Sequence, residues 1–271
     1  MLSEAWRQAI RSFLSNERAG GKPETTVSAR KHHLEHAARR LGPDPWAVSV
    51  DEIRDYFATQ KWAQETRRGR RTTLTRFYDW AIEAGYTDTS PAARLPKVPM
   101  KAGRPRPAPE RAYSAALRSA DPRELLALRL AAEVGLRRAE VTKIHSDDLF
   151  EDEGGVSLLV HGKGDRDRTV PLPKSLGEAL TALPYGYAFP GKDHGHLSPR
   201  YLGKLIARLL PDTLTMHTLR HRFATRLYAR RRDILMVQQA LGHASVGTTQ
   251  RYVDYDRNTM REAIDEMAGS G

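Results

Sequence analysis

Apolar residues recur every three to four positions through the opening of the chain. Leu2, Trp6, Ile10, Phe13 and Leu14 share one helical face, the spacing of an amphipathic helix laid on a core. A second helix is predicted from about Pro23, since proline suits a first turn. It runs through Val27, Leu34, Ala38 and Leu41 to a stop at Gly42. Ser49-Val50-Asp51-Glu52 has the form of a capping box, in which hydroxyl and carboxylate each accept from a backbone N–H that the helix leaves unpaired. It opens a third helix carrying Ile53, Tyr56 and Phe57. A fourth, from about Gln64 to Ala84, buries Leu74, Phe77, Tyr78 and Ile82 and ends at Gly85. Residues 1–90 therefore read as a helical bundle.

The periodicity breaks between Ser90 and Glu110. Pro91, Pro96, Pro99, Pro105, Pro107 and Pro109 exclude helix and sheet interior alike. Lys101, Arg104 and Arg106 are interspersed, so 91–109 reads as an extended basic linker and the best domain boundary in the chain. Beyond it the pattern is mixed. Asp121-Pro122 opens a helix through Ala132. Val156–Val160 and Thr169–Leu172 are short β-type runs flanking His161-Gly162-Lys163-Gly164-Asp165-Arg166, which reads as a hairpin turn. Helices follow from Ser198-Pro199, from about Thr215, and after Asp233 to a stop at Gly242. A short one is predicted from Ser245 toward Tyr252, and a last one from Asp256. The expectation is a mainly α chain with a small antiparallel β-sheet: a helical bundle, then an α+β domain over 110–271.

Composition narrows the function. The 271 residues are 39% hydrophobic, enough for real cores, and no run approaches the ~20 apolar residues that cross a bilayer. The opening residues lack the basic-then-apolar run of a signal peptide. A cytoplasmic location is expected. The absence of cysteine excludes disulfides, thiolate metal sites and cysteine nucleophiles. The formal charge of +11 points to a polyanionic partner. It is shared by both halves, with 17 basic and 12 acidic side chains before residue 101 and 27 and 21 after. Arg67, Arg68, Arg70 and Arg71 crowd the first turns of the fourth helix and are candidates for phosphate contact, with Lys101, Arg104 and Arg106 of the linker.

The candidate chemistry lies in the second segment. Arg137 follows Gly135-Leu136 just ahead of Glu140, Lys163 sits between two glycines, His217 and Arg220 share a helix face, His243 follows Gly242, and Tyr252 comes nine residues later. Two guanidiniums can pair with the non-bridging oxygens of a phosphodiester as charge builds on them. A tyrosine hydroxyl can attack in line with a histidine's help, and a lysine can protonate the departing 5′ oxygen. No carboxylate cluster is present to hold a metal, so arginines would take the place of magnesium. The phosphotyrosine link would keep the bond energy, and rejoining would need no ATP.

Four stretches carry a resemblance. Ala132-Glu133-Val134-Gly135-Leu136-Arg137-Arg138-Ala139-Glu140 resembles the first arginine box of tyrosine recombinases, and Val160-His161-Gly162-Lys163-Gly164 their hairpin lysine motif. His217-Thr218-Leu219-Arg220-His221-Arg222-Phe223-Ala224-Thr225 resembles their His-x-x-Arg box, and Leu241-Gly242-His243 through Gln250-Arg251-Tyr252 their terminal box. Val134 departs from the small or hydroxyl residue usual before Gly-Leu-Arg. The resemblance implies a SAM-like core-binding domain over 1–90 and a catalytic domain over 110–271. In the latter Arg137 and Arg220 hold the phosphate, Lys163 is the general acid, His217 assists proton transfer, His243 hydrogen-bonds the phosphate, Tyr252 attacks and Glu140 orients an arginine. It implies no cofactor or metal. The implied partner is double-stranded DNA with a specific core site, clamped between the domains, on which four copies assemble and exchange strands through a Holliday junction. A directionality factor is a further expected partner.

The tail over 256–267 would then dock on a neighbouring copy, with docking on its own domain as the alternative. With Leu2 already in the bundle, a short Xer-like layout without an arm-binding domain is expected. Integration or excision of a phage or mobile element is the leading reading, in the host cytoplasm if phage-encoded. Xer-type resolution of chromosome dimers, a type IB topoisomerase and a catalytically silent DNA-binding regulator are the alternatives.

Overall fold

Trp6, Phe13 and Phe77 form the centre of an aromatic core, with Phe77 stacked against Trp6 at 5.7 Å and edge-on to Phe13 at 5.5 Å between ring centroids. Around it pack α1 (Glu4–Ala19), α2 (Glu24–Ala38), α3 (Val50–Thr59) and α4 (Gln64–Glu83). This computed structural model describes residues 1–99, 106–162, 167–211 and 213–242. It divides into two units, Met1–Gly103 and Arg104–Gly271. The Ser49–Glu52 capping box forms as expected at α3. Two buried polar tips find carbonyl partners: Trp6 Nε1 donates to Gly42 at 2.9 Å and the Tyr78 hydroxyl to Pro45 at 3.1 Å.

Two expectations for this unit need correction. Ile82 is 40% exposed, and Trp80 and Ala81 take the inward places. They lie three and four residues beyond Phe77, on its face of the helix, whereas Ile82, five beyond, points away. The linker also starts later than its prolines imply. Residues 91–94 form a turn, and Ala92 and Leu95 are buried in the first core. Arg71 pins this turn by donating to the carbonyls of Leu95 at 3.0 Å and Pro96 at 2.9 Å.

The second unit is built around α6 (Pro122–Glu133), which contacts α5 (Glu110–Ser119), α7 (Arg138–Thr142), α8 (Lys174–Thr181), α9 (Pro199–Ala207) and α10 (Met216–Arg231). Asp121 and Glu124 cap it reciprocally, and Leu128, Leu130 and Ala131 are fully buried. A three-stranded antiparallel sheet, β1 (Leu149–Asp152), β2 (Gly155–Val160) and β3 (Arg168–Pro171), lies in the order β1-β2-β3. Leu158 pairs with Val170 and Val160 with Arg168. A short strand, β4 (Pro190–Asp193), bridges to His196, and α11 (Ile234–Leu241) follows α10. The mainly α composition with a small antiparallel sheet is as expected. The helices α5 and α8 and the edge strand β1 were not foreseen. Among the described residues no helix is long and apolar enough to cross a membrane.

Candidate active site

The chain leaves α6 through Val134, buried in the core, and reverses at Gly135, where φ is +75°. Only glycine adopts this without strain, and the Phe223 ring lies where a β-carbon would project. The turn buries Leu136 and delivers Arg137 to the N-cap of α7. Glu140, one turn on, reaches back: its carboxylate accepts from the Arg137 backbone N–H at 2.7 Å and from Arg137 Nη1 at 2.6 Å.

Glu140 is the hub of the site. Arg168, at the start of β3, meets both of its oxygens, through Nη1 at 3.1 Å and Nη2 at 3.0 Å. Arg220 of α10 stands 3.6 Å away. Burial by itself would raise the Glu140 carboxyl. The fork from Arg168 and the two donors of Arg137 outweigh it and hold the group at about 2. The three arginines also reach the end of α11: Arg168 donates to the Ala240 carbonyl at 3.0 Å, Arg220 to Leu241 at 2.5 Å and Arg137 to Gly242 at 3.4 Å. These carbonyls are among those a helix C-terminus leaves unpaired. Arg220 further donates to the Gly135 carbonyl at 2.5 Å, tying α10 to the turn before Arg137.

Thr215 caps α10 and accepts from the His217 N–H at 3.3 Å, so His217 and Arg220 stand one turn apart, as the sequence spacing required. Both line an open cavity of about 620 Å³ with Arg137, Arg138 and Thr215. The two arginines differ in access: the Arg137 side chain is 39% exposed, that of Arg220 4%. His217 is exposed as a residue, but its imidazole forms part of the cavity wall. Partial burial there, and then the charges of Arg220 and Arg137, hold it below the ordinary histidine value. Its Nε2 lies 2.8 Å from Nε2 of His221. One ring must donate and the other accept, so the pair is not doubly protonated.

At the base of the hairpin, His161 sits between two carboxylates, with Nε2 2.9 Å from Asp148 and Nδ1 2.9 Å from Asp167. The Asp148 bond first, and then Asp167, raise this histidine above its ordinary value. Neither Arg168 nor the His161 clamp was anticipated. Arg168 could have been found, because strand alternation puts it on the face of buried Val170, where a guanidinium needs a partner. Of the expected residues, Arg137, Glu140, His217 and Arg220 come together. Lys163, His243 and Tyr252 lie outside the described residues, as does the expected tail helix from Asp256.

The four arginines at the start of α4, Arg67, Arg68, Arg70 and Arg71, have internal partners. Arg67 donates to the carbonyls of Phe57 at 2.6 Å and Gln60 at 2.8 Å, closing the end of α3, and Arg71 holds the turn described above. Arg68 pairs with Glu65 at 2.9 Å, and Arg70 lies over the Trp62 ring at 4.6 Å. Lys101 and Arg104 fall outside the described residues, and Arg106 is exposed.

Comparison with known proteins matches residues 109–259, more than half of the chain, to the phage integrase family. The chain belongs to this family. It is a tyrosine recombinase, of the enzymes that cut and rejoin DNA at specific sites through a covalent intermediate. A relative, tyrosine recombinase XerC of Methylobacterium sp. (strain 4-46), is 30% identical over 97% of this chain and 85% of its own length. Two solved structures share the recombinase fold at 21% identity. One is a lambda integrase dimer bound to a COC′ core site, with a TM-score of 0.73 over 91% of this chain and 76% of that one. The other is a lambda integrase tetramer bound to a Holliday junction, with a TM-score of 0.71 over 88% and 77%.

Proposed function

We propose that this recombinase cleaves DNA with Tyr252. The phenol oxygen attacks the scissile phosphorus, the bond to the sugar 5′ oxygen breaks, and a 3′-phosphotyrosyl link remains. Attack by the 5′ hydroxyl of a second strand reverses the step and completes the exchange. Arg137 and Arg220 hold the non-bridging oxygens, Lys163 protonates the departing 5′ oxygen, His217 takes up the phenol proton and His243 donates to the phosphate. Glu140 keeps the arginines in place.

The observation that carries this reading is the charge balance at Glu140. Three guanidiniums meet one carboxylate, and these four groups leave a net charge of +2 beside the cavity holding His217. Such an excess is costly to bury without a counter-anion, and a phosphodiester supplies one. We further propose that the first unit, which includes the turn through Leu95, binds the core site, that the chain beyond it connects to a catalytic domain over 110–271, and that four copies act on two synapsed sites. The tetramer with the same fold on a Holliday junction supports that assembly.

The biological event we assign is integration or excision of a phage or other mobile element, with a directionality factor setting the balance. A second reading, Xer-type resolution of chromosome dimers, is favoured by the XerC relative that covers nearly the whole chain. The experiment is to trap covalent adducts on nicked duplexes of randomised core sequence, sequence the DNA, and recombine plasmids carrying the selected site. Exchange by this protein alone supports the integrase reading. Exchange only with a second, different recombinase supports the Xer reading, and no adduct in any pool contradicts both.

A further inference from the structure

We infer that Arg168 is a positioning residue for strand cleavage, which sets the arginine pair and the end of α11 in one geometry. The inference rests on the catalytic reading above. Arg168 touches three separately encoded pieces of the site. Its guanidinium forks onto Glu140, which in turn holds the backbone and side chain of Arg137. Its Nε donates to the Ala240 carbonyl, three residues before His243 in the sequence. Its backbone is the strand partner of Val160, so it closes the hairpin whose connection carries Lys163.

The geometry suits positioning rather than phosphate contact. The Arg168 side chain is 9% exposed, and each of its three nitrogens has a protein acceptor. Gly242 packs against it so closely that an added β-carbon would lie 3.0 Å from Arg168 Cδ. The groups facing Glu140 are Arg137 from the N-cap of α7, Arg168 from β3 and Arg220 from α10. A flat fork is required, because a lysine supplies one point charge and cannot bond both carboxylate oxygens and the Ala240 carbonyl at once. Loss of Arg168 would leave Glu140 held by Arg137 and Arg220 alone, and able to take up a proton at higher pH. Arg137 and the end of α11 would lose their common anchor.

The test compares wild type, Arg168→Met and Arg168→Lys on the core duplex selected above, in single-turnover cleavage at saturating protein, with DNA affinity and thermal unfolding measured alongside. Wild-type adduct formation is the control for the catalytic reading: if it fails, that reading fails before Arg168 is at issue. The expected result for Arg168→Met is an affinity within about threefold of wild type and cleavage slowed about 100-fold, the scale of a small misplacement of reacting groups. Its rate should also fall more steeply than that of wild type as pH becomes acidic, because Glu140 then protonates in addition to His217. Arg168→Lys should keep the wild-type pH profile, because Glu140 stays charged, yet recover only part of the rate. Cleavage by Arg168→Met within threefold of wild type overturns the inference. So does a loss fully explained by weaker DNA binding or a smaller folded fraction in both variants, which would leave Arg168 a purely structural role.

Discussion

Glu140 shows how one carboxylate organises several cations. It is nearly inaccessible to water, and its ionisation is maintained by Arg168 and Arg137. Replacing it by glutamine leaves the buried guanidiniums of Arg168 and Arg220 and the partly exposed one of Arg137 without their counter-charge, and breaking such a cluster costs about 3–5 kcal/mol. Glu140→Gln should lower the denaturation midpoint accordingly at neutral pH. The sign with pH follows from the depressed carboxyl. Its stabilisation is complete above the unfolded-state value of 4.5 and is lost as pH falls toward about 2. The difference between wild type and Glu140→Gln should therefore shrink across that window, which urea titrations at several pH values would record. The position was legible through the resemblance of Ala132–Glu140 to the first arginine box. Its degree of sharing was not, because Arg168 and Arg220 arrive from other elements and no local pattern announces the contact.

Turns and helix ends place these side chains, and Gly135 does much of that work. Gly135 carries positive φ, has the Phe223 ring where a β-carbon would project, and offers its carbonyl to Arg220. Gly135→Ala combines left-handed strain with overpacking and should cost at least about 2 kcal/mol. It should also slow cleavage, since Arg220 and Arg137 both depend on the turn. Unfolding and single-turnover assays on the same preparation would separate the two effects. The hairpin base should respond to pH through His161. Its proton is held more tightly in the folded state than in the unfolded chain, so the stabilisation is fully present below about 6.5 and fades as pH rises through the raised folded value. His161→Asn should therefore cost more stability at pH 6 than at pH 8.5. A larger cost at the higher pH would refute the clamp.

Element prediction worked where periodicity and caps agreed, as at α3, α6, α10 and α11. It failed at α5 and α8, whose short helices bury only a few side chains, and at β1, a four-residue edge strand with no buried position. Trp80 was missed as a core residue because the apolar run at the end of α4 offered Ile82 as an alternative, and only helix geometry chooses between them.

For the whole molecule, the charge of +11 divided over both halves of the sequence predicts binding dominated by phosphate neutralisation. Affinity for any duplex should fall about a thousandfold between roughly 50 and 200 mM salt. Discrimination in favour of the core site should survive that change. The α4 arginines qualify the source of this term, since Arg67 and Arg71 hold backbone carbonyls of their own unit. Arg67→Ala should weaken binding partly by loosening the end of α3, which would show as a lower unfolding midpoint in addition to a smaller salt slope. Family and fold class were readable because four short boxes fall in order along the second segment. The way those boxes meet, through Glu140 and the carbonyls closing α11, is a property of packing that a linear sequence does not display.

The most direct measurement is peptide mapping of the protein–DNA adduct formed on a nicked core-site substrate. The account expects a single modified peptide with the DNA 3′ phosphate on Tyr252, and no adduct from Tyr252→Phe. An adduct on another residue, or undiminished strand exchange by Tyr252→Phe, would contradict it.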